Sequence, residues 1–103
     1  MNAQTEVASV DTRAVQATDS ANYMHPFTDT KELAAKGARV IVKGDGIYVW
    51  DSEGKKILDG MSGLWCVNVG YGRKELADVA YKQMNVLPYY NSFYATSASS
   101  LRP

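Results

Sequence analysis

One cysteine, one histidine and three prolines are all that this 103-residue chain holds of the residue types most often tied to metal, redox or nucleophilic chemistry and to chain breaks. A lone Cys66 forms no internal disulfide, and a reducing, cytoplasmic setting is the expectation that follows. A zinc site needs more Cys and His than Cys66 and His25 provide, so no metal site is expected. His25 precedes Pro26 on a predicted loop and reads as a structural or surface histidine. Cys66 has no neighbouring base or helix N-terminus to activate it and reads as a buried, inert thiol. No catalytic residue is nominated. Charge of one sign is also lacking: acids and bases balance at zero, with an isoelectric point near 6.5. That balance argues against a nucleic-acid partner, which calls for a basic face. No apolar run approaches the roughly 20 residues that span a bilayer, so no membrane association is expected. Met1–Ser20 lacks the basic and apolar regions of a signal peptide.

What the chain does have is concentrated in Asp59–Arg73, where Gly60, Gly63, Gly70 and Gly72 surround Trp65, Cys66 and Tyr71. Glycine at that density permits positive φ and close approach. An apolar, glycine-rich connector suits the lining of a pocket or an interface better than an ordinary surface loop. Gly70-Tyr71-Gly72 ahead of a helix could offer amides to an anion. Without a Lys-Ser/Thr signature or a βαβ setting, a close-packed turn is the better reading.

The length sets one domain or less. Residues 1–22 are mostly polar or small, with Val7, Val10, Ala14 and Ala17 as a weak helical stripe. They read as a polar tail that becomes helical only when docked on something larger. Thr28–Gly37 reads as a short helix with Thr28 or Asp29 as N-cap and Gly37 as its C-terminal stop. Arg39–Lys43, Gly46–Trp50 and Lys55–Asp59 are apolar or β-branched runs separated by Gly44-Asp45 and by Asp51-Ser52-Glu53-Gly54. They predict a three-stranded antiparallel meander. Asp45, Asp51, Glu53 and Asp59 fall in or beside turns, where a solvated, turn-forming role is expected. From Arg73 to Leu87, Leu76, Val79, Ala80, Met84 and Leu87 share a helical stripe, which Pro88 ends. Tyr89–Tyr94 then brings four aromatics in six residues.

The fold class expected is α+β: an N-terminal helix, the meander and one amphipathic helix. That is a small core for so many aromatics, and small units bury a low fraction of their surface. The missing mass would come from another chain or from further residues. For Trp65, Phe93 and Tyr94, on irregular segments, a pocket or interface role and a plain core role stand even.

The stretches His25–Thr28, Gly37–Val40, Gly44–Gly54, Lys56–Arg73 and Leu87–Tyr94 closely resemble the N-terminal portion of class III (ω-) aminotransferases, which depend on pyridoxal 5'-phosphate. The resemblance runs over residues 23–96 and is nearest the subgroup that moves amino groups from amines, polyamines or β-alanine to pyruvate. It implies part of a fold type I transferase, contributing to its small domain, with homodimers whose active sites lie at the subunit interface. It implies an amine donor and pyruvate as substrates. By matching position it places Phe27, Leu64, Trp65, Phe93 and Tyr94 at the substrate pocket, as apolar walls that select the amine's side chain and not as proton carriers. The Schiff-base lysine, the aspartate at the pyridine nitrogen and the phosphate-cradling turn belong to later parts of such proteins and are not in this chain. Residues 97–103 depart from the family pattern, so a truncated or frame-shifted reading of a longer gene is expected, with no activity of its own. The competing expectation is a non-catalytic protein-interaction module built on the meander and the aromatic patches.

Overall fold

The computed structural model describes residues 9–101, so the outer end of the polar tail, including Val7, lies outside the described residues. It is an α+β chain of four short helices and one three-stranded antiparallel sheet. Two compact units divide it, the first ending at Gly72 and the second beginning at Arg73.

In the first unit, α1 spans Thr12–Asn22. Asp11 caps it, its side chain accepting from the Ala14 amide at 3.1 Å, which satisfies one of the otherwise unpaired first-turn donors. The tail expectation missed this helix because its apolar stripe is thin. What holds it is polar contact with the same chain. Thr12 Oγ1 lies 2.6 Å from Ser52 Oγ, and Gln16 Nε2 donates to the Ala38 carbonyl at 2.9 Å. Helix α2, Thr30–Lys36, takes Asp29 as its N-cap, with the carboxylate accepting from the Lys31 and Glu32 amides. Gly37 ends it with its own amide bonded to the Leu33 carbonyl.

The meander follows as β1 (Ile41–Asp45), β2 (Tyr48–Asp51) and β3 (Lys56–Leu58), in the order β1-β2-β3. Asp45 pairs with Tyr48, so the first connection is the two-residue turn Gly46-Ile47 and not Gly44-Asp45, which belong to β1. Gly46 has φ +58°, the left-handed value that a tight hairpin asks of its first central residue. The register shifts between Ile41 and Lys43, a bulge at Val42 that breaks the strict alternation of β1. On the sheet, Lys43 Nζ lies 4.8 Å from the Trp50 ring and Lys56 Nζ 4.1 Å from the Tyr48 ring. These cation–π contacts cover aromatic faces that are half-buried.

Among the described residues no apolar side chain is fully buried. The buried residue is a charged one, Asp51, at 8 % exposure. Its carboxylate accepts from the Glu53 and Lys55 amides at 3.1 and 2.9 Å, and Arg39 Nε stands 3.9 Å away. Asp51 therefore forms its turn as expected but is not solvated, because α1, through Thr12 and Ser52, lies over the same turn.

The unit closes with α3, Ser62–Trp65, which is not a right-handed helix. Ser62, Gly63, Leu64 and Trp65 have φ of 50°, 61°, 66° and 66°. The Trp65 amide bonds to the Met61 carbonyl and the Cys66 amide to the Ser62 carbonyl, both at 2.9 Å. It is one turn of left-handed helix, and L-residues resist it by about 1–2 kcal/mol each.

The second unit holds α4, Lys74–Val86, and a 3₁₀ turn at Ala98–Leu101. Lys74 and Asp78 pair along α4 at 2.9 Å, and Arg73 pairs with Glu75 at its start. The guanidinium, after the backbone's own contribution, holds the Glu75 carboxyl below its usual range. The stripe is there, but Leu76, Val79 and Met84 are all exposed. Among the described residues no helix is long and apolar enough to cross a membrane.

Candidate functional site

The left-handed turn is the densest cluster of unusual geometry, and it carries two of the residues that the family resemblance singles out. Leu64 and Trp65 sit at its end, both exposed, Trp65 at 82 %. Side chains on a left-handed turn cannot fall back along the helix axis as they do on a right-handed one. At 82 % exposure Trp65 has little contact with the chain that carries it.

Asp59 underlies the turn. One carboxylate oxygen accepts from the Met61 amide at 3.1 Å; the other accepts from the Gly63 amide at 2.8 Å and from the Tyr71 hydroxyl at 2.6 Å. The phenol bond first, and then the Gly63 amide, hold the Asp59 carboxyl below its ordinary range. The same bond pushes the Tyr71 phenol upward. Tyr71 is in turn paired with the hairpin tip: its amide donates to the Gly46 carbonyl at 2.8 Å, and the Gly46 amide to its carbonyl at 3.1 Å. Gly70-Tyr71-Gly72 is thus a close-packed turn, and the Gly70 and Tyr71 amides that an anion would need are bonded to the Val67 and Gly46 carbonyls.

Neither Asp59 nor Tyr71 was nominated from the sequence. Both stood inside the glycine-rich segment that drew attention, and an Asp followed at +2 and +4 by amides it can cap was a usable signal. Cys66 corrects an expectation. It is exposed, not buried, because the left-handed turn leads it outward, and its thiol donates to the Leu64 carbonyl at 3.2 Å. His25 is structural: Nε2 lies 2.7 Å from Asp19 Oδ2, and its ring meets Tyr23 edge-on at 4.7 Å.

The other nominated aromatics are held by small local devices. Phe27, between α1 and α2, has φ +51° and is fully exposed, with the Thr28 hydroxyl closing over it onto the Pro26 carbonyl at 2.8 Å. In the second unit, the Asn91 side chain accepts from the Phe93 amide at 3.0 Å, and Tyr94 follows at φ +55°. The first unit thus brings Leu64 and Trp65 together on one turn and carries Phe27 on a separate loop. Phe93 and Tyr94 are adjacent in the second unit. Phe27, Leu64, Trp65 and Tyr94 all occupy the left-handed region that a bulky side chain avoids, a form of strain that clusters at functional sites.

Comparison with known proteins gives one family. The model of the class-III aminotransferases matches residues 31–102. The putrescine–pyruvate aminotransferase of Pseudomonas aeruginosa is 55% identical over 97 residues, which is 94% of this chain and 21% of that protein. The taurine–pyruvate aminotransferase of Rhodobacter capsulatus is 38% identical over 81 residues, 78% of this chain and 18% of that one. Among solved structures, a thermostable (S)-enantioselective ω-transaminase from Thermomicrobium roseum superposes with a TM-score of 0.80 at 42% identity, over 85% of this chain and 20% of its own. The chain spans about a fifth of the length of the relatives it matches.

Proposed function

Because this chain belongs to the class III aminotransferase family, we propose that it furnishes the amine-selecting wall residues of a transaminase that passes an amino group from an amine, polyamine or ω-amino acid to pyruvate. In this reading Phe27, Leu64, Trp65, Phe93 and Tyr94 are each wall residues for the donor's side chain. What supports it most is that Phe27, Leu64, Trp65 and Tyr94 combine exposure with a left-handed backbone. Apolar walls of this kind discriminate by shape and by removing water, not by moving protons. The printed names of the relatives, with putrescine or taurine as donor and pyruvate as acceptor, support the substrate class.

Pyridoxal phosphate would supply the electron sink for such a transfer. The described residues do not fit it. A cofactor-anchoring lysine has to be enclosed beside a phosphate cradle, whereas Lys36 and Lys74 pair with carboxylates on their own helices. Lys43 and Lys56 lie over strand aromatics, and Lys31, Lys55 and Lys82 are exposed. The cofactor site is therefore assigned to residues other than these, and no activity is expected of the 103-residue chain alone. Homodimeric assembly is proposed as well from the family membership, and the lone Cys66 agrees with a cytoplasmic location.

The test has two arms. The purified chain, incubated with pyridoxal phosphate, an amine and pyruvate, is expected to form no alanine. A chimera in which the 97 matched residues replace their counterpart in the putrescine–pyruvate aminotransferase is expected to form it. In that chimera Trp65→Ala should shift kcat/KM toward bulky amines over putrescine by about tenfold or more. An unchanged preference refutes the wall assignment.

A further inference from the structure

We propose that Tyr71 and Asp59 are positioning residues for the amine pocket: the bond between them ties the left-handed turn to the β1-β2 hairpin and so fixes the direction in which Leu64 and Trp65 project. This rests on the reading of Leu64 and Trp65 as wall residues.

Both partners are anchored on the hairpin before they meet. The Asp59 amide donates to the Ile47 carbonyl at 2.8 Å, and the Tyr71 backbone is paired in both directions with Gly46. The root of the Tyr71 ring packs against Gly44, where a Cβ would stand 2.6 Å from the ring's first carbon. That close approach leaves the ring one orientation, with its hydroxyl over Gly63, where a Cβ would stand 3.1 Å from it. The phenol proton then reaches the carboxylate oxygen that also holds the Gly63 amide. Leu64 and Trp65 come next in the chain, and they make no buried contact that would hold them at positive φ. A cleft of about 340 Å³, bordered by Ile47, Asp59, Ser62, Val67 and Tyr71, lies beside the turn. The turn thus has room to relax toward a right-handed form when the carboxylate lets go. A contact that keeps two exposed side chains in a strained pose acts through those side chains, and Tyr71 and Asp59 touch no reacting atom themselves.

Tyr71→Phe removes the phenol proton donor and keeps the ring on Gly44. Asp59→Asn keeps acceptor oxygen for the turn amides and removes the charge. In the 103-residue chain, amide hydrogen exchange at Gly63, Trp65 and Cys66 is expected to quicken about tenfold in Tyr71→Phe, and less in Asp59→Asn. The Asp51 and Ser52 amides of the meander, bonded to the Lys55 and Val40 carbonyls, should keep their rates. In the chimeric holoenzyme, Tyr71→Phe is expected to raise the KM for the amine several-fold while kcat and the KM for pyruvate hold. Equal exchange at the turn in both chains, absence of protection there in the unsubstituted chain, or a uniform change across turn and meander each overturns the positioning role. An unchanged amine preference in Trp65→Ala overturns the wall reading instead, and the exchange rates still decide whether Tyr71 holds the turn.

Discussion

The hydroxyl of Tyr71 donates a 2.6 Å hydrogen bond to Asp59, and the same carboxylate oxygen accepts the amide of Gly63, 2.8 Å away. One oxygen thus joins the end of the glycine-rich segment to the turn that displays Leu64 and Trp65.

The bond has a pH window. The Asp59 carboxyl is depressed in the fold, so its contribution is complete above the unfolded value of about 3.9 and is lost as pH falls through the lower folded value. The Tyr71 phenol is raised, so its contribution is complete below about 10 and is lost as pH climbs through the higher folded value. Exchange at Gly63 should be slow across neutral pH, after correction for its intrinsic pH dependence, and should rise at both extremes. In Tyr71→Phe the alkaline rise should vanish.

Gly44→Ala should part Tyr71 from the hairpin. The new Cβ would lie within 2.6–3.0 Å of the root of the Tyr71 ring, which has no flexible end to yield. Exchange at the Gly46 and Tyr71 amides is expected to quicken about tenfold or more, as overpacking does. Gly60→Ala, whose Cβ would meet nothing within 4 Å, is the control and should leave both rates alone.

Leu64→Gly should firm the left-handed turn, and Leu64→Ala should not. Glycine removes a left-handed penalty of about 1–2 kcal/mol, of which its own unfolded-chain entropy returns about 0.5–1. Alanine keeps the penalty. Exchange at Trp65 and Cys66 should therefore be several-fold slower in Leu64→Gly than in Leu64→Ala. Both should lose amine selectivity in the chimera, so that a firmer turn accompanies a poorer wall.

The isolated chain should self-associate. Leu76, Val79 and Met84 form an exposed apolar stripe on α4, and such surface associates when nothing covers it. Light scattering should rise with concentration, and Val79→Lys should reduce it. A monomer at all concentrations would show that the stripe needs no cover.

The features legible from sequence were those set by neighbours in the chain. Asp29 caps α2 and Gly37 stops it, because capping acts over three or four residues. The meander was legible because β-branched runs and turn residues alternate at short range. The first hairpin was displaced by two residues: Gly44-Asp45 and Gly46-Ile47 are equally plausible turns until pairing across the sheet decides. Helix α1 escaped because its side chains dock by hydrogen bonds at Thr12 and Gln16 and not by an apolar stripe. The left-handed turn could not be read at all, since Leu64 and Trp65 individually oppose it. It depends on Tyr71, brought to Asp59 by the hairpin. Asp51 and Cys66 departed from their expected environments through contacts distant in sequence or unreadable in it: α1 lies over the Asp51 turn, and the left-handed turn leads Cys66 outward.

The pairing of Tyr71 with Gly46 also fixes an order of events. Gly46 takes its position only once β1 and β2 have met, and Tyr71 can dock only on that finished tip. Closing the intervening loop comes after the local pairing that rewards it. Leu64 and Trp65 are therefore set in place after the hairpin during folding. By the same sequence run backwards, they can be released while the hairpin beneath them stays closed.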